Sequence, residues 1–201
     1  MSPSSATNDS ELWNAFRAGD RNALDLVYQQ QVRALYNYGF KLTQNRDLVE
    51  DCIQDIFVEL WEKRERLGTT DSIRYYLFKV LRRTLLRRQA QNNRQSTGTA
   101  FLENVLSEDS FEVRLIVEQS SARTSSILQK ALDRLSGRQR EVILLRFYNE
   151  LTFEEIAHTM DIDVKSVYKL TYKALGSLKK KMTSSNVLIG SSIILILLYF
   201  L

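Results

Sequence analysis

Residues 152–178 read TFEEIAHTMDIDVKSVYKLTYKALGSL, and this stretch decides the fold. Thr152 and Glu155 stand at capping-box spacing, where a hydroxyl takes the amide three residues on and the carboxylate reaches back. The spacing predicts a short helix running to Met160. Asp161-Ile162-Asp163 then makes a tight turn, and Asp163 is placed to cap a second helix starting near Val164. Ile156, Ala157, Met160, Ile162, Val167 and Leu170 fall on the inward side, and small Ala157 lets two helices cross closely, as a helix-turn-helix requires. Asp161 occupies a turn position that wants a left-handed backbone, which Asp tolerates better than most residues. Lys165, Ser166, Lys169, Tyr172 and Lys173 face outward, with Tyr168 at the margin. Cations beside hydrogen-bonding side chains suit a helix lying in the major groove among phosphates. A solvated lysine face is the plainer reading of any charge run, but the fit of the whole spacing pattern favours DNA binding.

Upstream, Ser136-Gly137-Arg138-Gln139 is a second capping box, opening a helix with Val142, Ile143 and Leu145 on one side. Composition agrees with helices: seven Gly and one Pro in 201 residues are too few for a turn-rich β-sandwich. The single cysteine, Cys52, excludes an internal disulfide framework and fits a reducing compartment. One cysteine and one histidine, His158, cannot make the usual zinc sites. Neither a Gly-rich phosphate loop nor a G-x-S-x-G elbow is present. A non-enzymatic protein with no cofactor and no metal is therefore expected. Residues 1–10 are polar and unlike a signal peptide, so a cytoplasmic protein is expected.

The net charge of +4 says little until its distribution is read. Residues 48–61, LVEDCIQDIFVELW, form a helix with two faces. Val49, Ile53, Ile56, Phe57, Leu60 and Trp61 make a buried stripe, and Cys52 reads as a small buried residue. Asp51, Asp55 and Glu59 recur every four residues and build an acidic ridge, although like charges at that spacing repel by a few tenths of a kcal/mol. A basic protein partner would explain the ridge; a merely solvated ridge is the plainer alternative. Residues 74–94 carry the opposite sign: Arg74, Lys79, Arg82, Arg83, Arg87, Arg88 and Arg94 with no acid among them. The expected inner stripe is Ile73, Tyr76, Leu77, Val80, Leu81 and Leu85, leaving Tyr75 and Phe78 outside it. A cationic track with exposed aromatics suits a nucleic-acid strand, phosphates on the cations and bases on the rings, though such aromatics are as often core.

The fold expected is all-α: two small helical domains, at 11–91 and 125–182, joined by a flexible acidic linker at 92–124, plus a C-terminal hydrophobic helix at 183–201. The linker begins NNRQSTGTA and carries Glu103, Glu108, Asp109, Glu112 and Glu118 against Arg114. Residues 187–201 hold no charge. As a helix from Thr183 the tail would span about 28 Å, close to the roughly 30 Å of a hydrocarbon core. Lys179, Lys180 and Lys181 then sit at the cytoplasmic boundary. A membrane anchor is expected, against the alternative of an apolar helix packed on protein.

Taken together, these residues resemble the bacterial RNA polymerase sigma-70 family, in its small extracytoplasmic-function (ECF) group. The resemblance rests on Glu50-Asp51-Cys52-Ile53-Gln54-Asp55-Ile56-Phe57 with Leu60-Trp61, on Tyr76-Leu77, on Leu135-Ser136-Gly137-Arg138-Gln139-Arg140-Glu141-Val142, and on Leu151-Thr152-Phe153-Glu154-Glu155-Ile156-Ala157. It implies that Asp51, Gln54, Asp55 and Glu59 dock on the coiled coil of the polymerase largest subunit. The 74–88 segment would open and hold the −10 element, and residues 165–173 would read the −35 element. Arg83 departs from an Asn common in the family, and Leu170 from an Arg or His. The partners implied are core RNA polymerase and promoter DNA, with an anti-sigma factor and, through the tail, the inner membrane as further candidates. The acidic linker would either imitate RNA near the polymerase channels or serve as a charged tether.

Two rival readings share some of these features. A helix-turn-helix regulator could bind operators without joining polymerase, but it would need a ligand or receiver domain in the first block. A tail-anchored helical adaptor would have no use for a basic recognition helix.

Overall fold

The computed structural model describes residues 4–95, 132 and 134–183, and every regular element among them is helical. The chain divides into two units, Met1–Val105 and Leu106–Leu201.

In the first unit, local chemistry sets most helix ends. Helix α1 (Ser4–Arg17) begins within the polar leader, ahead of the start at residue 11 expected from apolar spacing. Asp20 caps α2 (Arg21–Thr43) by accepting the Asn22 N–H at 2.8 Å. That helix stops at Gln44, whose left-handed backbone (φ 54°) lets its N–H reach the Phe40 carbonyl. Asn45 then caps α3 (Arg46–Lys63) through the Leu48 N–H. A 3₁₀ turn, Arg64–Arg66, follows. Helix α4 (Ile73–Gln95) is capped from two places: the Ser72 hydroxyl accepts the Tyr75 N–H, and the Asp9 carboxylate accepts the Ile73 N–H. It continues to Gln95, into the segment expected to open the linker.

Helices α2, α3 and α4 pack on one another with α1 against α2 and α4, burying Trp13, Phe16, Leu35, Val49, Ile56, Leu77, Leu81 and Leu85 among others. Gly39 marks the closest approach: an added Cβ would lie 2.9 Å from Val49 Cγ1 and 3.2 Å from Leu85 Cδ1. Cys52 is buried, as expected, while Trp61 is only half-buried, with the Arg64 guanidinium 4.6 Å from its ring centre. The stripe of α4 differs from expectation. Phe78 is fully buried against Tyr38, whereas Tyr76 and Val80 are half-buried. At about 100° per residue, Ile73, Leu77, Leu81 and Leu85 drift by some 40° at each step of four. The drift carries the stripe over Phe78 and away from Tyr76 and Val80.

In the second unit, the capping box of Ser136 and Gln139 opens α5 (Gly137–Ile143). The chain continues into a π-helical turn, Leu144–Tyr148, closed by the Asn149 N–H and side-chain amide, which both donate to the Leu144 carbonyl. The Thr152–Glu155 box opens α6 (Phe153–Met160), with both of its hydrogen bonds formed. Asp161 takes the left-handed conformation expected of it, at φ 55°, ψ 53°. Helix α7 (Val164–Thr183) packs on α5 and α6. Its buried stripe is Val167, Thr171, Ala174 and Leu178, at steps of four, three and four. Leu170, expected inward, flanks that stripe and is half-buried, as is Ile162. Thr171 is tolerated inside because its hydroxyl donates to the Val167 carbonyl at 2.9 Å.

Among the described residues no helix is long and apolar enough to cross a membrane. The acidic stretch after residue 95 and the apolar tail after 183 lie outside the described residues.

Candidate nucleic-acid and protein interfaces

The turn of the second unit fixes which face α7 presents. Asp163 Oδ1 accepts the Ser166 N–H at 2.8 Å and Oδ2 accepts the Ser166 hydroxyl at 2.7 Å. These bonds hold the Asp163 carboxyl below the usual carboxylate range, and they commit the Ser166 hydroxyl proton to the cap. Lys165, Lys169, Tyr172 and Lys173 are all exposed; Tyr172 is 78% exposed, unusual for an aromatic ring with no function in solvent. Tyr168 is exposed at the edge of this face, its ring stacked on Phe153 at 4.3 Å. The Arg146 guanidinium lies 5.1 Å from the Phe153 ring centre. Phe153 of α6 thus meets both Tyr168 of α7 and Arg146 of the π-helical turn, a relationship that no short-range sequence signal announces.

On the first unit, Asp51, Asp55 and Glu59 are exposed along α3, as the spacing predicts, and Gln54 is exposed beside them. Two of the three acids have cationic partners: Glu59 pairs with Lys63 and Asp55 with Arg88 of α4. Asp51 makes no ion pair among the described residues. Beside Gln54 runs a groove of about 680 Å³ between α2 and α3, lined by Leu24, Tyr28, Phe57, Val58 and Trp61. Tyr28 and Val58 are large exposed apolar side chains here. Sequence reasoning missed this groove, although Leu24, Tyr28, Val32 and Tyr36 recur every four residues and could have signalled it.

The cations of α4 do not form one track. At 3.6 residues per turn, Lys79, Arg82, Arg83 and Arg87 fall within about 140° of arc on the outward side. Lys79, Arg83 and Arg87 are exposed and Arg82 is half-buried. Arg74 and Arg88 turn towards the bundle instead. Arg74 Nε donates to the buried Gln31 Oε1 at 3.4 Å, and Arg88 bonds Asp55. Tyr75 is half-buried beside Lys79, which donates to its hydroxyl at 3.3 Å. Phe78, placed outside the inner stripe with base platform and core both left open, is in the core and out of reach of any base. Tyr76 packs against Trp13, and burial, with Glu59 second, pushes its phenol upward.

Comparison with known proteins accounts for both units. Residues 27–95 match Sigma-70 region 2 and residues 125–178 match Sigma-70, region 4, together more than half of the chain. The chain is 26% identical over 167 residues to RNA polymerase sigma factor YlaC of Bacillus subtilis (strain 168), covering 82% of this chain and 95% of that one. It is 29% identical over 127 residues to the ferric citrate uptake sigma factor FecI of Escherichia coli (strain K12), covering 63% and 71%. Its fold is similar to that of CnrH, solved in complex with the cytosolic domain of CnrY. There the TM-score is 0.57 at 21% identity, over 89% of this chain and 99% of CnrH. It is also similar to the sigma factor RpoE from Bartonella quintana, solved with the anti-sigma factor NepR. That TM-score is 0.56 at 21% identity, over 77% and 95%. The region 2 match occupies the block where an operator-binding regulator would need its ligand or receiver domain. The chain belongs to the sigma-70 family of RNA polymerase sigma factors, in the ECF group.

Proposed function

We propose that this protein binds core RNA polymerase and directs it to promoters, with the work divided between its two units. The observation that carries the reading is the order of the two family matches, region 2 then region 4, on separate units. We assign 11–91 to polymerase docking and −10 opening and 125–182 to the −35 element, with the acidic stretch after Gln95 joining them. Asp51, Gln54, Asp55 and Glu59 dock on a basic surface of polymerase, with the α2–α3 groove extending the same face. Lys79, Arg82, Arg83 and Arg87 hold the phosphates of the opened strand. Lys165, Lys169, Tyr172 and Lys173 enter the upstream major groove, with Ser166 and Tyr168 at its rim. Because both solved relatives are complexed with a second protein, one of them named an anti-sigma factor, we also assign an anti-sigma protein as a partner. This is a binding role and asks for no catalytic group.

Reversing Asp51 and Asp55 to Lys tests the docking assignment. The double variant should lose co-purification with core polymerase while its circular dichroism stays that of the wild type, since both side chains are exposed and lie outside the buried stripe of α3. Normal polymerase binding would refute the assignment. An operator-binding regulator would retain no core subunits at all, even as the wild type.

The apolar tail supports a finer reading from its sequence alone: residues 183–201 tether the protein to the inner membrane behind Lys179, Lys180 and Lys181. Full-length protein should then resist carbonate extraction, and a chain ending at Met182 should be extracted and remain competent for transcription. Complete extraction of the full-length protein would overturn tethering.

A further inference from the structure

The ion pair between Arg88 and Asp55 joins a residue of the cationic helix to a residue of the docking helix. Arg88 lies in phase with the buried stripe of α4, between the angular positions of Leu77 and Leu81, and not with Lys79, Arg82, Arg83 and Arg87. Its side chain is 29% exposed while that of Asp55 is 61% exposed, so the guanidinium is the sheltered partner and the carboxylate the presented one.

We propose that Arg88 is a positioning residue of the polymerase-docking face, holding the Asp55 carboxylate in place, and that it takes no part in holding the opened strand. The inference rests on the docking role proposed above for Asp55. Three consequences of the geometry support it. Asp51, Asp55 and Glu59 would repel one another along the ridge, and Arg88 and Lys63 relieve two of the three charges. A carboxylate offers about four acceptor sites, so Asp55 can keep Arg88 and still accept from a basic partner. Fixing the side chain beforehand removes part of the ordering cost of association. The planar guanidinium fork does this better than an ammonium point charge. The opposing effect is neutralisation: a paired Asp55 attracts a basic partner less strongly. For charges this exposed, screening by water and salt keeps that attraction weak, and preorganisation wins.

The test uses the full chain, core polymerase and promoter DNA, with Arg88→Ala, Arg88→Lys, Asp55→Asn and the Arg88→Ala/Asp55→Asn double variant. Arg88→Ala should weaken core binding about two- to fivefold, and Arg88→Lys should fall between it and the wild type. With Asp55→Asn already in place, Arg88→Ala should have no further effect, the signature of one interaction and not two. Permanganate reactivity of the promoter at saturating core should be unchanged in every Arg88 variant. Core binding by Arg88→Ala at or above wild-type strength, losses that add in the double variant, or impaired melting at saturating core would each overturn the inference. Asp51→Asn separates the two levels. If it weakens core binding while Arg88→Ala does not, this inference alone fails. If neither Asp51→Asn nor Asp55→Asn weakens binding, the docking face fails and the inference with it.

Discussion

The Asp9 carboxylate accepts the backbone N–H of Ile73 at 3.0 Å across 64 residues of chain. An N-cap is normally supplied by the residue just before the helix; here α1 supplies one for α4. The same region is fixed again by Trp13 Nε1, which donates to the Gly68 carbonyl at 2.9 Å. The start of α4 is thus positioned by the N-terminal helix.

Asp9→Ala should therefore cost about 1 kcal/mol. For a unit of this size the loss lowers the melting temperature by about 4–8 °C. Only the first of the two units should shift, and calorimetry that resolves them supplies its own control. An unshifted first transition would mean that water or Ser72 satisfies the Ile73 amide equally well.

A second prediction concerns Gly39. Alanine is the better helix former by about 0.5–1 kcal/mol, but its methyl would meet Val49 Cγ1 at 2.9 Å and Leu85 Cδ1 at 3.2 Å. Val49 is β-branched and has little freedom to turn aside. Overpacking should win, with Gly39→Ala losing about 1–3 kcal/mol in urea unfolding. In a Val49→Ala background the cost of Gly39→Ala should shrink if the contact is the cause.

These two relationships also mark where sequence reasoning stops. Both capping boxes and the left-handed Asp161 were legible because each is decided within four residues of chain. The acidic face of α3 was legible because period 3.6 is a local property. Asp9 was not, because nothing near it announces a helix that begins 64 residues later. Phe78 was misplaced because a stripe read at fixed spacing ignores its drift over a helix as long as Ile73–Gln95. Likewise the seven cations of residues 74–94 read as one track, since their sum ignores which neighbour claims Arg74 and which claims Arg88.

The cap on α7 predicts a pH dependence. Hydrogen bonds from the Ser166 hydroxyl and then its amide depress the Asp163 carboxyl in the folded chain relative to the unfolded one. A depressed folded value contributes stability above the unfolded pKa, and that contribution is lost as pH falls through the folded value. The second unit should therefore lose stability on acidification below the ordinary Asp range. Asp163→Asn keeps a good capping side chain but cannot titrate. Its melting temperature should fall less than the wild type's over that range, measured as the difference between the two profiles. Parallel profiles would show that protonation of Asp163 does not weaken the cap.

The separation of cations on α4 and α7 predicts two distinct salt signatures for the holoenzyme on promoter DNA. Each phosphate contact to a single strand contributes about 0.7 to the slope of log affinity against log salt, and each to a duplex about 0.9. Arg83 and Arg87 are both exposed on the outward arc of α4, so neutralising them together should reduce the slope of the open complex by about 1.4. The same change should slow permanganate-detected melting. Lys169 and Lys173 lie one turn apart on α7. Replacing them with Ala should weaken binding to a duplex carrying the upstream element and reduce its slope by up to about 1.8. Once holoenzyme saturates the promoter, that pair should melt it at the wild-type rate. The two outcomes depend on different nucleic-acid forms, so an α7 variant that melts slowly at saturation, or an α4 variant that melts normally, would mean the work is not divided between the units in this way.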